Sequence, residues 1–214
     1  MKAPQRGLLL DYGGVLTGPV HRSFAAFEAA IGIPSGRSFE VLVEASREPG
    51  GGLIGALERG ELPLGRFDAR LRQLLEADGH EIPPDGLLPG LFAAMQPAGV
   101  LWDVVRQVRA HGLPTGLLSN SWGTDAYPRD TLEEHFDVLV ISGEVGLRKP
   151  EPAIYVLACE RLGLPPQRCA FVDDLPRNVE VARDLGMFAV LHDGDEPAIV
   201  EALSGFLEVD LSMP

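Results

Sequence analysis

Apolar runs and amphipathic stretches alternate along this chain. Gly7–Asp11 (GLLLD) is a short apolar run ending in an acid, which predicts a buried strand with Gly13-Gly14 as the loop after it. Similar runs recur at Pro114–Ser119, Val138–Ser142, Arg168–Asp173 and Met187–Leu191. Between them, Leu101–His111, Pro152–Leu162 and Arg177–Leu185 carry apolar residues at helical spacing. Each of these stretches stops at a glycine (Gly112, Gly163, Gly186), where a helix C-terminus favours positive φ. Strands alternating with helices of this length predict an α/β fold: a parallel sheet covered on both faces, with right-handed crossovers.

One stretch breaks the rhythm. From Gly18 to about Gln96 no strand pattern stands out, while Phe24–Ile31, Phe39–Ser46, Leu53–Arg59 and Phe67–Glu76 show helical spacing. Pro and Gly clusters at Pro49–Gly52 and Pro83–Gly86 separate them. The expected organisation is a core of residues 1–17 and 97–214, with a small all-helical insertion at 18–96 after the first strand. The tail Phe206–Pro214 carries no clear pattern.

Composition narrows the function. The 214 residues include 18 Lys+Arg against 31 Asp+Glu, a net charge of −13. That disfavours both nucleic acid and anionic membrane surfaces as partners, since each needs basic groups to meet phosphates. No leader pattern or apolar run of spanning length is visible, and two cysteines, Cys159 and Cys169, make no disulfide framework. A cytoplasmic location is therefore expected. Lys2 and Lys149 are the only lysines among many arginines, an imbalance that fits genomic base composition and makes the place of Lys149 informative.

In open parallel sheets, ligands bind beyond the carboxyl ends of the strands. The polar residues at those ends are Asp11, Ser119-Asn120 and Asp173-Asp174, with Lys149 in the loop Gly143–Pro150 just before a helix. Taken singly, each has a plain structural reading: an acid capping a turn, a turn serine, a solvated lysine, an N-cap pair for the helix near Pro176. Taken together, three carboxylates, an ammonium and a hydroxyl converge on one edge. Three acids so close raise one another's pKa unless a cation is present. Mg²⁺, with its preference for hard oxygen ligands, fits, and a phosphate would follow the metal.

These residues resemble the haloacid dehalogenase superfamily over nearly the whole chain. Leu8–Thr17 (LLLDYGGVLT) is similar to its first motif, Leu117–Asn120 (LLSN) to the second, Gly146–Tyr155 (GLRKPEPAIY) to the third and Phe171–Asn178 (FVDDLPRN) to the fourth. The resemblance implies a Rossmann-like three-layer core with a helical cap at 18–96, and a small phosphorylated molecule as substrate, a sugar phosphate among the candidates. It implies that Asp11 attacks phosphorus and becomes an aspartyl-phosphate. Mg²⁺ would be held by Asp11, the Gly13 carbonyl, Asp174 and Asp173. Ser119, Lys149 and amides near Tyr12, Gly13, Gly14 and Asn120 would cradle the phosphoryl oxygens. Asn178 would orient water or the loop, and the protein would be a monomer or homodimer.

One departure matters. Phosphatases of this superfamily mostly carry a second Asp two residues after the nucleophile as general acid and base; here that position is Gly13. Acid–base catalysis is worth about 10²–10⁴-fold, so poor leaving groups should react slowly. Thr17 or His21 are candidate proton relays. A catalytically weakened domain that binds a phosphorylated ligand or protein is the alternative. A phosphonoacetaldehyde hydrolase would need a cap lysine, which 18–96 lacks, and a haloacid dehalogenase needs no metal, against the Asp173-Asp174 pair. The cap arginines (Arg22, Arg37, Arg47, Arg59, Arg66, Arg70, Arg72) are expected on solvated faces, with one or two turned inward. Gly50–Gly52 reads as a hinge, a specificity loop or a plain connection, and Trp122 as a shield at the rim of the site or ordinary packing.

Overall fold

The structure is a computed structural model that describes residues 5–18, 20–48, 50–82, 99–124 and 127–213. Five strands form one sheet: β1 (Gly7–Leu10), β2 (Thr115–Ser119), β3 (Val138–Ile141), β4 (Cys169–Asp173) and β5 (Phe188–Leu191). The order is β3-β2-β1-β4-β5 and every pairing is parallel. A parallel sheet buried on both sides needs apolar residues at successive positions, and β1, β2 and β4 are buried throughout.

Alternation within the strands builds two cores. Leu8, Leu10, Leu117, Ala170 and Val172 face one layer of helices; Leu9, Leu118, Cys169 and Phe171 face the other. Among the described residues, four helices lie between β1 and the second strand's own approach helix: α1 (Val20–Ile31), α2 (Arg37–Glu44), α3 (Gly52–Glu58) and α4 (Leu64–Ala77). Then follow α5 (Leu101–Ala110), α6 (Arg129–His135), the short α7 (Ser142–Val145), α8 (Pro152–Leu162), α9 (Pro176–Asp184) and α10 (Glu196–Leu207). The first core takes residues from α5, α6 and α10, the second from α8 and α9. This is the Rossmann-like three-layer α/β architecture expected from the alternation of patterns. Gly112, Gly163 and Gly186 all have positive φ at the ends of α5, α8 and α9, as their place after the last apolar residue predicts.

Three elements extend beyond that expectation. Ser142 leaves the third strand and begins α7, and its hydroxyl donates to the Glu58 carbonyl. Arg129–His135 is helical, and so is Glu196–Leu207, which takes in the first two residues of the tail. There Asp195 accepts a hydrogen bond from the Ala198 amide at 3.2 Å and caps α10, whose Ile199, Val200, Leu203 and Leu207 are buried.

Helices α1–α4 enclose an apolar cluster of their own, with Phe24, Leu42, Phe67, Leu71 and Leu75 fully buried or nearly so. Buried Glu28 of α1 ties it to α2 by accepting the Gly36 and Ser38 amides at 2.6 and 2.8 Å. Trp122, after β2, packs edge-on against Phe24 and Phe67, with centroids 5.7 and 5.9 Å away. The sheet side thus reaches into the helical cluster. The expected boundary near 96–97 lies outside the described residues.

Candidate active site

The register of the sheet assembles the site. Leu10 pairs with Val172 of β4 and Leu117 of β2, so the next residue, Asp11, comes level with Asp173 and close to Ser119 at the carboxyl edge. Carboxylate oxygens of Asp11, Asp173 and Asp174 lie within 4.8 Å of one another. Lys149 is buried between them, its Nζ 2.8 Å from Asp11 Oδ1 and 2.6 Å from Asp173 Oδ2. The ring of Phe171 lies beneath this ammonium, 5.5 Å away.

Each of these groups is held by neighbours. The side chain of Asn120 clasps the Lys149 backbone in both directions: Nδ2 donates to the Lys149 carbonyl at 2.9 Å and Oδ1 accepts its amide at 2.8 Å. Asp173 accepts hydrogen bonds from Asn178 Nδ2 and, at 2.9 Å, from the Leu175 amide. It therefore opens the turn into α9 as well as joining the acidic cluster. Asp11 Oδ1 also accepts the Tyr12 amide, at 2.7 Å. Gly14 has φ +76, and a β-carbon there would collide with Asp174 Oδ2, so glycine is required for the first loop to approach the fourth. Ser119 Oγ lies 2.9 Å from the Tyr127 hydroxyl, a partner the sequence did not single out, and the ring of Tyr127 leans on that of Tyr12.

The electrostatics follow from burial. Burial pushes the Asp11 carboxyl well above the ordinary range; Lys149 pulls it down, while Asp173 and Asp174 push it up again. Asp174 is raised by burial and by Asp173. Burial would lower the Lys149 ammonium, but Asp11 and Asp173 prevail and raise it. One ammonium among three clustered acids, two of them buried and Asp174 partly so, leaves an excess of negative charge that a divalent cation would relieve, and the donor set is all oxygen. These residues fit Mg²⁺.

The site opens into a cavity of about 370 Å³ lined by Asp11, Tyr12, Gly13, Ser119, Asn120, Lys149, Asp174 and Asn178. From the helical cluster come Phe39, Ile54 and Glu58, and from the loop before α8 comes Arg148. Of the residues that the family resemblance assigns to metal, phosphate and catalysis, all but Gly14 and Asp173 line this cavity. Trp122 both lines it and packs in the helical cluster. Among the described residues, none of the arginines of the helical segment lines it. Arg37 pairs with Asp78, and Arg59 with Glu61 and Glu151. Thr17 is turned away, its hydroxyl on the carbonyls of Tyr12 and Gly18. The side chain of His21 lies outside the described residues. Cys159 and Cys169 are buried and free.

A parallel α/β sheet thus carries an acidic, lysine-bridged cluster at its carboxyl edge. A family model described as hydrolase, haloacid dehalogenase-like hydrolase, matches residues 5–186, and the chain belongs to that family. Acyl-CoA dehydrogenase family member 10 of Mus musculus is 30% identical over 213 residues, 94% of this chain and 19% of that protein. N-acetylmuramic acid 6-phosphate phosphatase of Pseudomonas aeruginosa is 32% identical over 122 residues, 54% of this chain and 49% of that one. The chain spans only 19% to 40% of the length of the first curated relatives it matches. The HAD family enzyme bt-2542 of Bacteroides thetaiotaomicron, solved with magnesium and inorganic phosphate, has a TM-score of 0.63 at 22% identity, covering 90% of this chain and 96% of that one. The L-2-haloacid dehalogenase RSc1362 has a TM-score of 0.69 at 21% identity, covering 91% and 88%. Among the described residues, no helix is long and apolar enough to cross a membrane.

Proposed function

We propose that the chain is a phosphohydrolase acting on a small phosphate ester, with Asp11 as nucleophile. The observation that carries this is the buried Asp11 in contact with Lys149, beside Asp173 and Asp174, on the wall of the cavity. Asp11 Oδ1 is held by Lys149 and the Tyr12 amide, and attack on phosphorus is assigned to Oδ2. The P–O bond to the alcohol breaks, an aspartyl-phosphate forms, and water then displaces the Asp11 carboxylate to give inorganic phosphate. Lys149 and Ser119 supply positive charge and a donor for the phosphoryl oxygens, with amides of Gly13, Gly14 and Asn120 beside them. Asp11, Asp174, the Gly13 carbonyl and Asp173 would hold Mg²⁺, which when bound neutralises charge and orients the phosphoryl group. A phosphatase relative and a structural neighbour bound to magnesium and phosphate support this reading. The segment 18–96, whose described part carries α1–α4, serves as the cap that closes the leaving-group side. The partner is a small phosphorylated molecule, not nucleic acid or membrane; the chain acts as a monomer or homodimer in the cytoplasm.

The test is phosphate release from a panel of sugar phosphates, acyl phosphates, nucleotides and p-nitrophenyl phosphate, with Mg²⁺ and after chelation. Turnover that needs the metal and vanishes in Asp11→Asn is the expected result. Gly13, which brings no acid, favours a second reading: a domain that binds a phosphorylated ligand without hydrolysing it. Tight binding of one such ligand with no turnover on any ester would establish that reading. Halide release without metal would point to a dehalogenase.

A further inference from the structure

Breaking an ester P–O bond at neutral pH calls for a proton at the departing oxygen, and Gly13 has no side chain to give one. Among the described residues, three carboxyls line the cavity: Asp11, Asp174 and Glu58. The first two belong to the acidic cluster. Glu58 comes from the opposite side, as the last residue of α3. It is 6% exposed, and its Oε2 lies 2.7 Å from Arg148 Nε without a hydrogen bond of its own. Its backbone carbonyl accepts the Ser142 hydroxyl, which anchors this end of α3 to the sheet side.

We propose that Glu58 is the general acid and base of the reaction, presented to the leaving group by the helical segment in place of the carboxyl missing at Gly13. The proposal rests on the phosphohydrolase reading. In the first step the Glu58 proton passes to the ester oxygen as its bond to phosphorus breaks and the bond from Asp11 forms. In the second, the Glu58 carboxylate takes a proton from the water that attacks phosphorus. The Asp11–phosphorus bond then breaks, and both carboxyls return to their starting states.

The surroundings suit both roles. Burial raises the Glu58 carboxyl to about 7, against the lowering effect of Arg148, Lys149, the Asn120 amide and Arg59. Tyr127 faces it as well. A carboxyl at a helix C-terminus is disfavoured as an anion, which acts in the same direction as burial. Once the proton has gone, Arg148 stabilises the carboxylate. Glycine at position 51 leaves room for this pairing: a β-carbon there would run into the Arg148 guanidinium, whereas at Gly55 it would first meet the Gly50 carbonyl. Within the run Gly50–Gly52 it is Gly51 that lies against Arg148.

The experiment measures kcat/KM, with Mg²⁺, for a series from p-nitrophenyl phosphate to alkyl phosphates, in wild type, Glu58→Gln and Arg148→Ala. Loss of the acid costs about 10²-fold or more on alkyl phosphates and less than about tenfold on p-nitrophenyl phosphate. The fall of kcat/KM above pH about 7 disappears in Glu58→Gln and shifts to higher pH in Arg148→Ala, where the Arg charge no longer favours the carboxylate. A uniform loss across the series, or none, makes Glu58 a structural partner of Arg148 and overturns the proposal. If Glu58→Gln fails to fold, an alkaline limb that does not move in Arg148→Ala overturns it equally. A wild-type protein inactive on every ester instead sinks the phosphohydrolase reading, and the role of Glu58 with it.

Discussion

Lys149 is a buried ammonium between two carboxylates, and its value lies in what it compensates. Lys149→Met would leave Asp11 and Asp173 buried without a counter-charge. Breaking such a group by removing one partner costs about 3–5 kcal/mol, so the variant should lose that much in denaturant unfolding measured without metal. Glu58 gives a second prediction, on stability rather than rate. Its carboxyl titrates near 4.5 in the unfolded chain and near 7 in the fold. Folding therefore favours the protonated form, a contribution fully present below pH 4.5 and lost as pH rises through 7. Glu58→Gln removes that dependence. Its stability relative to wild type should climb by about 1.4 kcal/mol per pH unit between those values and then level off. Unfolding titrations at stepped pH would show it, and parallel curves would contradict it.

Asp11, Ser119, Lys149, Asp173 and Asp174 were legible because a parallel sheet sends every strand end to the same edge. Glu58, Arg148 and Tyr127 were not. Glu58 and Arg148 are ninety positions apart and meet only because α3 lies against the loop before α8, while Tyr127 is marked by nothing but its nearness to Ser119 in sequence.

At the level of elements, the contact between α3 and α7 decides where Glu58 stands. Gly60, just past α3, has φ +72, and a β-carbon there would collide with the Gly143 carbonyl oxygen at the start of α7. Backbone rather than a flexible side chain is in the way, so Gly60→Ala has to push the helical segment off the sheet side. The expected cost is more than about 1 kcal/mol, from the left-handed backbone alone. With it should come a raised KM and lower kcat/KM for esters with large leaving groups. A wild-type Tm in this variant would show that the two sides are not in firm contact there. The glycines that end α5, α8 and α9 were readable because a helix stop depends on local backbone alone. Gly51 read only as part of a hinge, a specificity loop or a plain connection, and Gly60 was not singled out, since what makes glycine necessary at both is a distant neighbour.

The whole molecule carries a net charge of −13 and concentrates three of its acids in one cluster at the sheet's edge. Binding a divalent ion there should couple directly to stability. At a hundred times its Kd, Mg²⁺ adds about 2.7 kcal/mol, which appears as a rise in Tm that a chelator reverses. NaCl matched in ionic strength separates this from screening of the overall charge. Asp174→Asn should abolish the rise; a rise that persists in that variant would place the ion elsewhere.

The five strands with the helices that follow three of them, the edge on which the polar residues gather and the family were set by local pattern. A run of apolar residues of strand length, a glycine stop and an acid at a strand end each act over a few positions. What the tertiary structure alone decided was the far wall of the cavity: Glu58 against Arg148, Tyr127 on Ser119, Trp122 wedged between Phe24 and Phe67. Those contacts depend on how a helical segment comes to rest on a sheet. That placement is the sum of many weak packing terms from residues far apart in the chain, and no single stretch of sequence encodes it.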